Sequence, residues 1–240
     1  MEIRADLKKL YGDYYLNDTV LIKRKIAARQ TLEHLNLILP RKDYGSILDV
    51  GAGDGSVLEE LNNANIGDKL HAVEISESGC NSIRKKALNK VCSVEQFDGY
   101  NIPAEEGQYE LGLAVHVLEH VEHERTFLNE ISRTCKYLYI EVPLELTLNV
   151  NKNINISSHF GHINFYNAYT FQNLLNSCGL EVLEFKQFPP TLEYETFLGG
   201  AVKGKLKHLI RKLALKLAPK VAPLFITYMG SAYCRLRPVN

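Results

Sequence analysis

Residues 47–55 read ILDVGAGDG, in which a short apolar strand runs directly into three glycines at alternate positions. Apolar residues at helical spacing follow at Val57, Leu58 and Leu61. A tight turn between a strand and a helix needs residues without a Cβ atom, which glycine supplies. Such a turn presents backbone N–H groups and a helix N-terminus to a ligand. The segment therefore predicts a ligand-binding loop at the end of a buried strand.

The same alternation of strand and helix continues along the chain. Apolar strand patterns occur at 70–73, 92–97, 109–115, 137–142, 180–188 and 227–236. Strands that alternate with helices indicate a parallel sheet with helices on both faces. Ligands of such sheets bind at the carboxyl ends of the strands. Gly51, Glu74, Asp98 and Val115 are all predicted at strand ends, so they are expected to share one site.

The glycine loop departs from the fingerprint of a dinucleotide site. That fingerprint is G-x-G-x-x-G/A, and its third small residue would fall at Ser56. The loop also lacks the Lys-Ser/Thr pair of a phosphate-binding P-loop. These departures disfavour a pyrophosphate ligand, and a nicotinamide-dependent oxidoreductase remains only as a weaker alternative.

Two acids follow neighbouring strands. Glu74 ends the second strand, where a carboxylate can accept hydrogen bonds from both hydroxyls of a ribose. Asp98 ends the third strand, and its carboxylate can accept a hydrogen bond from the exocyclic amine of adenine. The alternatives are a solvated strand-end acid for Glu74 and an ordinary Asp-Gly turn for Asp98. Because the glycine loop precedes both acids, we expect them to bind a nucleoside.

Four motifs in this order resemble those of class I S-adenosylmethionine-dependent methyltransferases of the small-molecule branch. They are LDVGAGDG at 48–55, AVEIS at 72–76, FDGYNIP at 97–103 and the segment 109–121. The resemblance implies an α/β fold with three layers, a doubly wound and mostly parallel seven-stranded sheet whose last strand is antiparallel. It also implies S-adenosyl-L-methionine as the methyl donor and S-adenosyl-L-homocysteine as the product.

The resemblance further implies which residues hold the cofactor. The glycine loop would contact the methionine part, and Asp49 would anchor the loop or the amino group. Val115 and His116 would line the floor near the sulfonium. The full expected set is Asp49, Gly51, Ala52, Gly53, Gly55, Glu74, Ile75, Asp98, Gly99, Tyr100, Val115 and His116.

Methyl transfer depends mainly on positioning, and a base helps only when the acceptor carries a proton of high pKa. The candidate bases follow the fourth predicted strand or lie in HFGHINFY, residues 159–166; they are His116, Glu119, His120, His123, His159 and His162. The second segment resembles a His-x-x-x-Phe stretch near the acceptor pocket of small-molecule members. We predict His116 and His162 as catalytic residues, although such histidines also pack or cap helices. No metal site is predicted.

The chain divides into two predicted parts. Residues 1–44 are expected to form an N-terminal helical lid segment, in which Tyr14 and Tyr15 either close the site or pack on the surface. Residues 45–240 are expected to form the cofactor-binding domain. The inserts 144–168, predicted to be irregular, and 189–226 would shape the acceptor site.

Charge is distributed unevenly along the chain. Lys plus Arg and Asp plus Glu both total 28, yet no acid follows Glu195 and nine basic residues do. Residues 1–195 contain more acidic than basic residues, which argues against nucleic acid as a substrate. The chain also lacks an Asn/Asp-Pro-Pro-Tyr/Phe segment after the fourth strand, which argues the same way. Residues 201–218 predict a basic amphipathic helix. Four placements of this helix are open. It packs on its own sheet, covers the acceptor pocket, joins two copies of the chain, or lies peripherally on an anionic membrane.

The sequence thus predicts a methyltransferase that acts on an oxygen of a small molecule, with nitrogen and carbon as less favoured alternatives. The alternatives are a regulatory, non-catalytic protein of the same fold and a lipid or isoprenoid methyltransferase at a membrane surface. Five cysteines without a C-x-x-C pair, and an N-terminus without an apolar secretory segment, favour a cytoplasmic location. The acceptor and the oligomeric state are not indicated.

Overall fold

The computed structural model describes residues 18–237. Its strands are β1 (Ser46–Val50), β2 (Lys69–Glu74), β3 (Val91–Gln96), β4 (Tyr109–Val115), β5 (Cys135–Leu144), β6 (Leu180–Phe188) and β7 (Tyr228–Leu236). Its α-helices are α1 (Asp18–Ile38), α2 (Ser56–Asn63), α3 (Glu77–Lys85), α4 (Glu124–Thr134), α5 (Val150–Ser157), α6 (Ala168–Ser177), α7 (Leu192–Gly199), α8 (Ala201–Leu217) and α9 (Ala222–Phe225). Short 3-10 turns lie at Leu118–His120 and Ser158–Phe160.

The strands form one seven-stranded sheet in the order β3-β2-β1-β4-β5-β7-β6. The pairings from β3 through β5 are parallel, whereas β7 is antiparallel to both β5 and β6. This arrangement confirms the predicted fold class, including the antiparallel last strand. Because β1 and β4 are central and parallel, the glycine loop after β1 and the segment after β4 meet at the same edge of the sheet.

Alternate residues of the strands pack into two apolar cores, one on each face of the sheet. Leu138 and Ile140 belong to a core that also contains α4 and α6 residues. Tyr139, between them, belongs to a core built with α1, α2 and α3 residues. The sheet is therefore covered on both faces, which is the predicted three-layer arrangement.

The predicted insert 144–168 is partly regular. We expected irregular structure because Asn and Ser have low helix propensity, and that expectation is wrong for residues 150–157, which form α5. Contacts outside the helix offset the propensity. Asn153 Nδ2 donates to the carbonyl of Glu145 at 2.7 Å, and Ser157 Oγ donates to the Glu145 carboxylate at 2.6 Å.

The N-terminal segment is described from residue 18 onward. There α1 is helical, as predicted, and buries Ile26, Leu35 and Ile38. Tyr14 and Tyr15 lie outside the described residues, so the lid function of 1–44 stays a prediction. Among residues 18–237, no helix combines the length and the apolar character that a membrane span requires.

Candidate active site

A cavity of about 550 Å³ lies at the carboxyl ends of the strands. Its walls come from the glycine loop, the ends of β2 and β4, and helices α1, α5, α7 and α8. The predicted cofactor residues that line it are Gly51, Gly53, Glu74, Ile75, Gly99, Tyr100, Val115 and His116. Asp49, Ala52, Gly55 and Asp98 do not line it, although they belong to the same loops.

The glycine loop is closely packed at its backbone. Gly51 has φ +75°, and a Cβ atom there would lie 2.7 Å from Val117 Cγ2. Gly55 has φ +76°, and its Cβ would lie 2.8 Å from Ile83 Cγ1. Both positions therefore exclude a side chain, and the main chain of Gly51 and Gly53 lines the cavity. This surface fits the close approach of a ligand.

Glu74 is buried and its carboxylate faces the loop. Oε2 accepts the Gly53 N–H at 2.9 Å, and Oε1 accepts the Ser76 N–H at 3.0 Å and the Ser76 hydroxyl at 2.8 Å. A carboxylate has about four acceptor positions, so one remains for a ligand hydroxyl. Binding both ribose hydroxyls requires Ser76 to release one of its bonds.

Asp49 lies directly behind the glycine loop and is 2% exposed. Its Oδ2 has no hydrogen-bond partner among the described residues. Burial, together with the nearby charge of Glu74, raises the pKa of Asp49 to about 7. Asp49 does not line the cavity, so its predicted role of anchoring the loop or receiving an ammonium group stays a prediction.

The Asp98 carboxylate forms hydrogen bonds within its own turn. Its Oδ1 accepts the backbone N–H groups of Tyr100 at 2.8 Å and Asn101 at 2.7 Å, and its Oδ2 accepts the Asn101 side chain. The carboxylate thus closes a turn that presents Gly99 and Tyr100 to the cavity. Its direct contact with adenine stays a prediction.

His116 directly follows β4 and lies in the left-handed region, with φ +54°. Its Nδ1 lies 3.3 Å from Glu119 Oε1, and its Nε2 lies 3.4 Å from Glu141 Oε1. Burial alone would lower the pKa of His116, but bonds to the two carboxylates outweigh it and raise that pKa to about 10. His116 is therefore cationic at neutral pH and is a poor proton acceptor in this arrangement.

Glu141 is the centre of a buried network that the sequence analysis did not identify. Besides His116, the carboxylate receives hydrogen bonds from Thr31, His34, Tyr139 and Ser231 at 3.1, 2.7, 2.6 and 2.6 Å. Burial raises its pKa, but the charge and bonds of the two histidines dominate and hold that pKa well below its usual value. An acid inside the apolar strand YLYIEV, residues 137–142, is a signal that could have indicated it.

The raised pKa of His116 gives a pH-dependent stability. Its folded pKa exceeds the unfolded value of about 6.5, so its stabilisation is complete below that pH and is lost as pH rises toward 10. We expect the wild type to lose more stability between pH 7 and pH 10 than His116→Gln, as measured by urea denaturation. His159→Gln, which removes an exposed histidine, should follow the wild type. Parallel profiles for wild type and His116→Gln would contradict the assignment.

His162 lies across the cavity and is held by a different acid. Its Nδ1 is 2.8 Å from Glu145 Oε2. In the neutral form of the ring, this contact places the hydrogen on Nδ1, because a carboxylate oxygen accepts it, and the lone pair on Nε2. His120 packs edge-on against the same ring at 4.8 Å. Unlike His162, His123 and the exposed His159 do not line the cavity.

One cluster in this wall has metal-ligand spacing, although the sequence analysis predicts no metal site. The ligand atoms of Glu119, His120 and His162 lie within 4.8 Å of one another. Glu119 is 1% exposed, and its Oε2 has no hydrogen-bond partner within residues 18–237. This oxygen can therefore accept a hydrogen bond from a bound acceptor molecule.

The roof of the cavity contains an ion-pair group that the sequence analysis also missed. Glu195 is 1% exposed and lies 2.9 Å from Lys207 Nζ and 3.2 Å from Arg211 Nε. All three side chains line the cavity. They join α7 to α8, so residues of the insert 189–226 line the cavity. That this insert shapes the acceptor site stays a prediction.

The fold and the site define a class I S-adenosylmethionine-dependent methyltransferase. The family described as "Methyltransferase domain" matches residues 23–185, which is more than half of the chain. The chain belongs to this family and uses S-adenosylmethionine as its methyl donor. No curated protein matches the chain at the sequence level.

Solved structures show the same fold. A putative methyltransferase of Haloferax volcanii, solved with the Trm112 activator, has 14% identity and a TM-score of 0.68 over 96% of this chain and 98% of that one. Geranyl diphosphate C-methyltransferase of Streptomyces coelicolor A3(2), solved with Mg²⁺ and S-adenosylhomocysteine, has 13% identity and a TM-score of 0.63 over 87% and 76%. The [4+2]-cyclase SpnF has 17% identity and a TM-score of 0.63 over 89% and 82%.

Proposed function

We propose that the protein transfers a methyl group from S-adenosylmethionine to a hydroxyl oxygen of a small molecule. The observation that carries the proposal is the pair His162–Glu145, which faces the same cavity as Gly51, Gly53 and Glu74. A hydroxyl loses a proton on methylation, so a base with a free lone pair at the acceptor side suits oxygen. The bound cofactor supplies an already activated methyl group.

Different residues of the chain hold the donor, accept the proton and position the site. The glycine loop and Glu74 hold the donor, with Asp49 supporting the loop from behind. Nε2 of His162 accepts the hydroxyl proton, and Glu145 stabilises the imidazolium that forms, because its carboxylate already accepts the Nδ1 hydrogen. The cationic His116 acts as a positioning residue, since Glu119 and Glu141 occupy both of its nitrogens.

The rest of the cavity favours an apolar acceptor. Val20, Ile156, Phe160, Leu198 and Met229 contribute apolar side chains to its wall. Lys23 lies over the Phe160 ring at 4.9 Å, and burial lowers the pKa of its ammonium group. An aromatic or isoprenoid alcohol fits this lining better than a nucleotide or a peptide does.

Carbon methylation is the second candidate. Two observations favour it: the metal-ligand spacing of Glu119, His120 and His162, and the fold shared with a C-methyltransferase solved with Mg²⁺. The fold alone does not distinguish carbon from oxygen methylation, because it is also shared with a [4+2]-cyclase.

The test is methyl transfer from carbon-13-labelled S-adenosylmethionine to a panel of phenols, isoprenoid alcohols, amines and prenyl diphosphates. We expect product from the hydroxyl compounds, with the labelled methyl shown by NMR to be bonded to oxygen, and no effect of a chelator. Label bonded only to carbon, with activity lost to the chelator, would favour the second candidate. Cofactor binding without transfer to any acceptor would favour a non-catalytic protein.

A further inference from the structure

Helix α8 has an orientation opposite to that of an ordinary surface helix. Such helices turn their apolar face toward the core and their charged face toward water. Here the inward face contains Gly204, which is buried, and His208 and Arg211, which bond to backbone carbonyls of Pro190 and Thr227 at 2.9 and 3.0 Å. The hydrogen bonds that fix the helix thus come from polar residues, and Leu215, which is half-buried, lies on the same side.

The apolar side of α8 faces outward. Six residues at helical spacing cover an arc of about 100°, and their side chains are 45–81% exposed: Val202, Leu206, Leu209, Ile210, Leu213 and Leu217. The alternative in which this face packs on its own sheet is therefore wrong. Val221, Leu224 and Phe225, in and next to α9, are also about half exposed and extend the apolar surface.

Positive charge borders this apolar surface. Lys205, Lys212 and Lys216 follow one edge of the arc and Lys203 follows the other, and all four are exposed. No acidic residue occurs after Glu195. Long lysine side chains can place their ammonium groups beside a surface while their stems cover apolar contacts.

A second concavity adjoins this surface. A groove of about 540 Å³ runs between α5, α8 and α9 and is lined by Lys152, Lys203, Leu206 and Phe225, among others. It shares Lys207, Arg211 and Thr227 with the active-site cavity. Lys207 and Arg211 thus separate the active-site cavity from a groove that adjoins the exposed apolar surface.

We propose that the outward face of α8 docks the protein on an anionic lipid bilayer. The apolar arc would enter the boundary between headgroups and acyl chains, while the flanking lysines contact anionic headgroups. A symmetric pairing of two copies fits less well, because an isologous contact would place lysines against lysines. The docking stands independently of the proposed function; only its corollary, that the acceptor reaches the cavity from the bilayer, rests on that function.

The test is co-sedimentation of the full chain, without cofactor or acceptor, with vesicles. The vesicles contain either equal phosphatidylglycerol and phosphatidylcholine or phosphatidylcholine alone. We expect pelleting with the anionic vesicles at low salt, weaker binding at high salt, and none with the neutral vesicles. Because this readout needs no turnover, its failure would leave the proposed function intact.

Matched variants locate the contact. Lys212→Gln with Lys216→Gln should weaken binding about 30-fold, at roughly fivefold per cation. Leu206→Gln with Leu213→Gln should abolish it, and since both residues are exposed the fold should persist, as circular dichroism would verify. Lys69→Gln with Lys85→Gln, exposed lysines near the β2–β3 edge, should bind like the wild type.

Three results of the vesicle assay would overturn the proposal. They are no pelleting with anionic vesicles, equal binding to neutral vesicles, and unchanged binding of both α8 variants. A stable dimer in sedimentation velocity that Leu206→Gln with Leu213→Gln dissociates would assign the face to a second copy, which also contradicts membrane docking.

Discussion

Replacing His162 with alanine is expected to slow methyl transfer by about 10²- to 10⁴-fold, which is the usual contribution of a positioned general base. The affinity for S-adenosylhomocysteine should stay unchanged, because the proposed mechanism places His162 at the acceptor and not at the donor. The loss should shrink as pH rises and the acceptor hydroxyl ionises in solution. The measurement is the initial rate on the best hydroxyl acceptor of the panel, across pH.

Two further variants sharpen this result. Glu145→Gln keeps the shape of the side chain but removes the charge that stabilises an imidazolium, so it should lower the rate with little change in KM. His159→Ala removes an exposed histidine three residues away and should act like the wild type. If His162→Ala and His159→Ala have the same rate, His162 is not the base.

Replacing Glu141 with alanine is expected to destabilise the fold by about 3–5 kcal/mol, the range for breaking a buried charge pair. The carboxylate is 0% exposed, and its removal leaves donors from α1, β5 and β7 without a partner. Urea denaturation measures the change, with Ser231→Ala as a control that removes a single donor and should cost about 1 kcal/mol.

Glu141→Gln covers the case in which the alanine variant does not fold. The amide keeps one acceptor oxygen, so the expected loss is about 2 kcal/mol. Acid should reverse the stabilisation: the pKa of Glu141 is lowered on folding, so its contribution is present above the unfolded value and is lost as pH falls through the folded one. A loss below about 1 kcal/mol in both variants would show that the network is not important for stability.

The fold and the cofactor side could be predicted because their signals are local in sequence. The glycine loop, Glu74 and Val115 each follow a recognisable strand, and parallel strands bring such ends together. The strands β4 and β6 were predicted with their observed bounds, and the ends of the other strands differ by at most two residues.

The acceptor side was harder to predict because its contacts are distant in sequence. Thr31 and His34 reach Glu141 across 110 and 107 residues, and no local pattern pairs them. His162 was identified from its motif, but its partner Glu145 lies 17 residues earlier, at the start of an insert predicted to be irregular. His116 has one local partner, Glu119, three residues away, but its second carboxylate, Glu141, lies on β5, and no local pattern pairs them.

The orientation of α8 shows a limit of pattern reasoning. Its sequence gives the apolar arc and the flanking lysines, but the arc does not say which side meets the protein. Glu195 fixes which side of α8 faces the protein, because its buried carboxylate forms ion pairs with Lys207 and Arg211.

The central claim is that the glycine loop and Glu74 form the S-adenosylmethionine site. Titration calorimetry with S-adenosylhomocysteine tests it most directly, using wild type, Glu74→Gln and the exposed control Glu77→Gln. We expect micromolar binding by the wild type and the control, and binding about 10- to 150-fold weaker by Glu74→Gln, as loss of a charge-assisted hydrogen bond implies. Absence of binding by folded wild type, or equal affinity in Glu74→Gln, would contradict the account.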